Sequence, residues 1–293
     1  MFEFAELFKI KVIGVGRSGI NAVNKMVESQ LPPMEFIAVS NKKKHLADSH
    51  AEQRLLIGKN ISKLRADFDK IFEISDIVFI IAGGGIGEKI VPIIAHCANL
   101  WGALTIEIVI LPFNVEKLLP NDTFFAIPND DNTDEIIFKT IQSISASMTM
   151  PGIVNLNLAD IYTFFLFYGK ASVGIGEAKH FTDAVNAAIN FPLLKYNLKN
   201  ARRLFINFTG SKNSLEMIEV SDISNVVQNA LNKHTEEFMY SILIDENLGD
   251  TVRVTIIATR FDDEAKNFRA PIIFFNHNKN FDNDLINIPP WMK

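Results

Sequence analysis

Along the first half of the chain, short continuous apolar runs alternate with segments whose apolar positions recur every three to four residues. FKIKVIGVG, MEFIAVS, SDIVFIIA and GALTIEIVILPF are the runs. INAVNKMVES places Ile20, Val23, Asn24 and Val27 at helical spacing, and LRADFDKIFEI and EKIVPIIAHCANL carry the same period. Runs buried on both faces and separated by helices predict a parallel sheet in a doubly wound α/β domain. Ligands of such sheets bind beyond the carboxyl ends of the strands. Two glycine loops, after GVG and after IIA, fall at such ends.

TDEIIFKTIQSISASM then reads as one helix, with Ile136, Ile137, Thr140, Ile141 and Ile144 on one side. Asn132 or Thr133 is placed to cap it, and Asp134 adds favourable charge to its first turn. Met150-Pro151-Gly152 stops it. The second half predicts a helix from about Asp160, another from about Ala178 to Ile189, and then strands at ARRLFINFTG, EFMYSILID and DTVRVTIIATRF. Helices followed by strands suggest an α+β unit. The predicted division is therefore a nucleotide-binding domain over 1–131, a central helix over 132–150 and a second domain over 151–262. A polar, asparagine-rich linker and a terminal peptide, INIPPWMK, occupy 263–293.

Charge and cysteine content narrow the function. With 29 basic and 34 acidic residues the net charge is −5, which disfavours a nucleic-acid coat. The run Lys42, Lys43, Lys44 reads as a solvated loop. A single cysteine, Cys97, excludes an internal disulfide and fits a reducing cytoplasm, where it would be a small buried group. The N-terminus lacks the basic head of a signal peptide, and no apolar stretch of about eighteen residues predicts a membrane span.

Candidate chemistry lies in the glycine loops. Gly14, Gly16 and Gly19 open the first, and Gly83, Gly84, Gly85 and Gly87 the second. Glycine lets backbone amides approach phosphate oxygens without a Cβ in the way. The second loop reads GGGIGEK, and Glu88 brings a carboxylate where phosphate would sit, a repulsive pairing at short range.

GVGRSGINAVNKM, FIAVS, DIVFIIAGGGIG, GALTIEIVILPF, AIPND, PGIVNLNLADI, INFPLL, INFTG, RVTIIATRFD and IPPWMK occur in the order and rough spacing of FtsZ, the bacterial tubulin homologue. The resemblance covers nearly the whole chain. It implies a tubulin/FtsZ-like fold: a Rossmann-like GTPase domain, a central helix and an α+β second domain. It also implies head-to-tail self-association, in which the PGIVNLNLADI loop completes the neighbouring subunit's GTPase site. By the same resemblance Asn21 and Asp134 would contact guanine and Glu116 the ribose. Asn155, Asn157 and Asp160 would stand in the catalytic loop, and the tail, through Ile288, Pro289, Pro290 and Trp291, would dock a membrane-anchoring division adaptor.

Departures from the family pattern qualify these roles. The family's GGGTGTG has lost both threonines. The acidic stretch after FIAV is replaced by Ser40, Asn41 and lysines, and the γ-phosphate loop is missing, since Leu56-Ile57-Gly58 runs quickly into LRADFDK. The first acidic position of the catalytic loop is Asn157, whose amide can orient a water but cannot accept its proton. The expectation is an FtsZ-like filament subunit, cytoplasmic and acting at the division site. It would bind GTP or GDP weakly, with Mg2+ only alongside GTP, and hydrolyse GTP slowly or not at all. One alternative is a working GTPase in which Arg17, Lys89 and the lysine run 42–44 replace lost contacts. Another is a non-polymerising modulator of an orthodox FtsZ.

Overall fold

The four apolar runs of the first half form strands in a computed structural model, where two shorter segments, QRLL and TFFAI, join them in one parallel arrangement of six. The structure describes residues 8–29, 34–58, 61–118, 123–166, 169–195, 198–216 and 235–261. The strands are β1 (Ile10–Val15), β2 (Glu35–Ser40), β3 (Gln53–Leu56), β4 (Ile77–Gly83), β5 (Leu104–Ile110) and β6 (Thr123–Ile127). Their spatial order is β3-β2-β1-β4-β5-β6. β1 lies between β2 and β4, so the strand order reverses there, and a crevice opens at the carboxyl ends of β1 and β4.

Helices cover both faces. α1 (Gly16–Val27) packs Ile20, Val23 and Met26 into one core, and α3 (Ile61–Phe72) and α4 (Gly87–Leu100) pack Phe68, Phe72, Val91 and Ile94 into the other. The lysine run differs from expectation: Lys43 and Lys44 begin a short helix, α2 (Lys43–Ala47), held by buried Leu46 while both lysines stay exposed. Cys97 is buried in α4, as its surroundings predict. Among the described residues, no helix is long and apolar enough to cross a membrane.

The central helix is α5 (Thr133–Thr149), with Ile136, Ile137, Thr140, Ile141 and Ile144 all buried. Neither predicted cap acts as one. Asn132 sits at the cap position without a side-chain bond, and the Thr133 hydroxyl donates to the carbonyl of Pro128 and accepts from the Asp130 N–H, each at 2.7 Å.

The second half departs from the predicted helices-then-strands order. Its elements are β7 (Gly152–Val154), α6 (Leu158–Phe165), β8 (Lys170–Ala178), α7 (Phe181–Ile189), α8 (Pro192–Lys195), β9 (Ala201–Gly210), α9 (Lys212–Glu216), β10 (Glu237–Ile244) and β11 (Val252–Phe261). Ala178 ends a strand instead of starting a helix, and α7 begins at Phe181. Gly174 and Gly176 hide β8 in the sequence, because glycine is a poor strand former. They are needed where α7 presses on the sheet: a Cβ at Gly176 would lie 2.0 Å from the Ala184 carbonyl oxygen. The strands continue one eleven-stranded sheet in the order β6-β8-β11-β9-β10-β7. The halves are joined by short parallel pairing of Phe124 with Lys170 and Phe125 with Ala171.

A cluster of charges ties the central helix to this second half. On α5, Lys139 reaches Glu135 at 2.6 Å and Glu177 of β8 at 2.9 Å. Arg253 of β11 reaches the same Glu177 oxygen at 2.5 Å and Gln142 of α5 at 2.8 Å. Burial raises the Glu177 pKa, but the hydrogen bonds and charges of Lys139 and Arg253 outweigh it, and the net shift is downward.

Candidate functional site

The first glycine loop is built by close approach. A Cβ at Gly14 would lie 2.5 Å from the Gly19 carbonyl oxygen, and one at Gly19 would lie 2.2 Å from that of Ile81. These glycines let the first turn of α1 press against β1 and β4. Gly16 has φ +71°, a left-handed conformation that side chains resist. The second loop repeats the device after β4, with Gly85 at φ +76° and Gly84 facing the Pro112 carbonyl. Gly87 sits tight on Ala82, so it too serves packing.

Between these loops and the end of β5 lies a cleft of about 750 Å³. Its wall includes Ser18, Gly83, Gly84, Gly85, Glu88, Pro112, Asn114 and Asn129. The Glu88 carboxylate accepts the backbone N–H of Asn114 at 3.2 Å, spanning from the first turn of α4 to the loop after β5. Ser18 and Asn129 are wall residues that the sequence did not single out. Ser18 looks like a mere interruption of the glycine run until α1 turns its hydroxyl toward Gly83, 3.1 Å from where a Cβ would stand.

Other candidates lie away from this wall. Asn21 is exposed on α1, and Glu116 is exposed in the turn Val115–Lys117, where its own N–H donates to the Asn114 side chain at 3.1 Å. Asp134 is held by Lys25 of α1 at 2.7 Å, so its carboxylate is already matched with a cation. The carboxylate that faces the cleft from the helix start is an anion, and the wall presents one hydroxyl, that of Ser18.

The second candidate constellation is at the other end of the sheet. α5 starts just after the carboxyl end of β6 and its 17 residues carry the chain about 25 Å back. Residues 150–160 therefore emerge beside the amino ends of the strands. Tyr162 fixes α6 there by donating to the carbonyls of Asp76 and Gly102, which precede β4 and β5. Burial and the Asp76 charge push the Tyr162 pKa up. Asn157 and Asp160 form a reciprocal capping box on α6: the Asp160 N–H donates to Asn157 Oδ1 at 3.0 Å, and the Asn157 N–H to Asp160 Oδ2 at 2.9 Å. Asn155 Nδ2 donates to the Met150 carbonyl at 2.7 Å. The three residues are thus brought together, each in a bond that shapes the loop. Beside them Ile153 is 64% exposed, a large apolar side chain left in solvent. The docking residues Ile288, Pro289, Pro290 and Trp291 lie outside the described residues.

Residues 169–262 match the model of the FtsZ family C-terminal domain. Among solved structures, an empty FtsZ dimer of M. jannaschii is similar at 24% identity over 86% of this chain and 88% of that one, with a TM-score of 0.73. CetZ from Methanosaeta thermophila is similar at 17% identity over 88% of each chain, with a TM-score of 0.67. A helical model of the TubZ-Bt four-stranded filament is similar at 11% identity over 89% of each chain, with a TM-score of 0.65.

Proposed function

We propose that this chain, which has the tubulin/FtsZ fold and an FtsZ-type C-terminal domain, is a filament subunit that stacks head to tail with weak nucleotide binding and little or no turnover. One observation carries the reading: the two ends of a single sheet bear different surfaces suited to meet. The carboxyl end bears the open cleft, and the amino end bears a braced, exposed loop, residues 150–160, with Ile153 at its surface. Such heterologous surfaces generate open filaments when the rotation between copies does not close a ring. The dimer and filament named among the similar structures support the same use of the fold.

Weak nucleotide dependence follows from three residues. Glu88 sets a negative charge in the cradle, Lys25 already neutralises Asp134, and Asn157 supplies an amide where the family resemblance implies a carboxylate. Asp160 would be left as the acidic group of the incoming loop, with one oxygen engaged by its own helix cap. In the cell the subunit would act in the cytoplasm at the division site, alone or with an orthodox FtsZ, and the tail would tether it through an adaptor.

Pelleting of the purified protein over a concentration series tests this. Wild type should sediment above a critical concentration with or without GTP. Ile153→Lys should raise that concentration about tenfold, equivalent to about 1.4 kcal/mol at the interface. A wild type that stays monomeric throughout, yet lowers the pelleting of an orthodox FtsZ, would replace the filament reading with that of a capping modulator.

A further inference from the structure

The turn Gly85–Glu88 covers both glycine loops with its own side chains. The Ile86 Cγ2 methyl lies 3.1 Å from where a Cβ of Gly16 would stand, so the backbone of the first loop is capped by hydrocarbon. Two residues on, Glu88 Oε1 lies 3.5 Å from the Cβ position of Gly84 and accepts the Asn114 amide. α4 has 14 residues, no side-chain cap at Ile86, and Glu88 as the acid of its first turn. A helix start of this length carries partial positive charge and unpaired N–H groups, which an anion satisfies. In a phosphate cradle the ligand brings that anion. Here the first turn carries a carboxylate of its own, whose charge matches the helix start while its Oε1 accepts from the Asn114 amide across the cleft.

We infer that the Glu88 carboxylate is a built-in anion that occupies the phosphate cradle of the cleft and bridges its two walls, the turn before α4 and the loop after β5, without a ligand. This rests on the reading of the cleft as a phosphate cradle in a filament subunit. It goes further by assigning the cleft's selectivity to one residue. With the negative charge supplied from within, the cleft disfavours polyphosphates. It keeps room for an uncharged ligand, because the remaining wall of Ile110, Leu111, Pro112, Phe113, Asn114 and Asn129 is apolar with amide groups and carries no net charge. The walls are also held in one arrangement whether or not anything is bound, which is what a subunit assembling without nucleotide needs.

The test compares wild type with Glu88→Gln, which keeps an oxygen for the Asn114 amide but loses the charge, and with Glu88→Ser, which shortens the side chain. Inorganic pyrophosphate, GTP and guanosine are the probes, titrated by calorimetry. Pyrophosphate and GTP should bind each variant at least tenfold more tightly than wild type, while guanosine affinity changes less than threefold. Unchanged pyrophosphate and GTP affinity in folded variants would overturn the inference and leave the filament reading intact. Equal gains for guanosine would also overturn it, because the carboxylate would then be a steric plug and not an anion. So would loss of native circular dichroism in both variants, which would make Glu88 a support of the whole domain. Tight GTP binding by wild type would instead overturn the reading of weak nucleotide dependence on which this rests.

Discussion

Replacing Glu177 tests how the central helix is fastened to the second half. Its carboxylate is the shared acceptor of Lys139, on the helix, and Arg253, on β11. Glu177→Gln leaves two cations facing a neutral amide. The side chains of Lys139 and Arg253 are only 16% and 15% exposed, whereas that of Glu177 is 32% exposed. Exposed ion pairs contribute about 0.2–1 kcal/mol, whereas breaking a buried pair costs about 3–5 kcal/mol. This site lies between these limits. Lys139 keeps Glu135 and Arg253 keeps Gln142, so we expect a loss of about 2 kcal/mol. For a chain of this size that corresponds to a fall in Tm of about 3 °C, read by circular dichroism at neutral pH. The sign of the pH dependence follows from the lowered Glu177 pKa. A carboxylate depressed in the folded state stabilises above its unfolded pKa, near 4.3, and that contribution is lost as pH falls through the folded value. The gap between wild type and Glu177→Gln should therefore narrow in acid. A Tm within about 1 °C of wild type at neutral pH, or a gap that widens in acid, would refute the fastening argument.

Three further outcomes are expected. Gly16→Ala should destabilise by at least about 1–2 kcal/mol in urea unfolding, because φ +71° is strained for alanine and its Cβ meets the Ile86 methyl at 3.1 Å; an unchanged midpoint would contradict the loop geometry. Cys97 is buried and burial pushes its thiol up to about 11, so iodoacetamide at pH 8 should label it slowly until denaturant is added. Asn157→Asp should fold normally, since aspartate caps a helix as well as asparagine, and should recover little GTP turnover; a large recovery would show the cleft to be competent as it stands.

Four strands of the parallel sheet were legible because they are uninterrupted apolar runs, and the central helix because five apolar and threonine positions keep one period; β3, largely exposed, and β6, which alternates buried with half-buried positions, carry no such run. β8 was not legible either, since its glycines answer to a helix that packs on it from later in the chain. The candidate site divides in the same way. Glycines 14, 19 and 84 are readable as close-approach positions, and the structure gives each a backbone oxygen that a Cβ would strike. The pairing of Asp134 with Lys25 and the capping box of Asn157 with Asp160 are different. The first joins two helices far apart in sequence. The second is local and has the asparagine-to-acid spacing of a capping box, but the same residues fall where the resemblance implies a catalytic loop. Ser18 could have been found from its place in the first turn of α1, which sets it beside the second glycine loop.

The central claim is self-assembly without a nucleotide requirement. The most direct measurement is negative-stain microscopy and sedimentation of nucleotide-stripped protein, with and without added GTP and with phosphate release followed in parallel. The account predicts filaments in both conditions, similar pelleted fractions and phosphate release near background. Filaments that form only with GTP and disassemble as phosphate is released would contradict it.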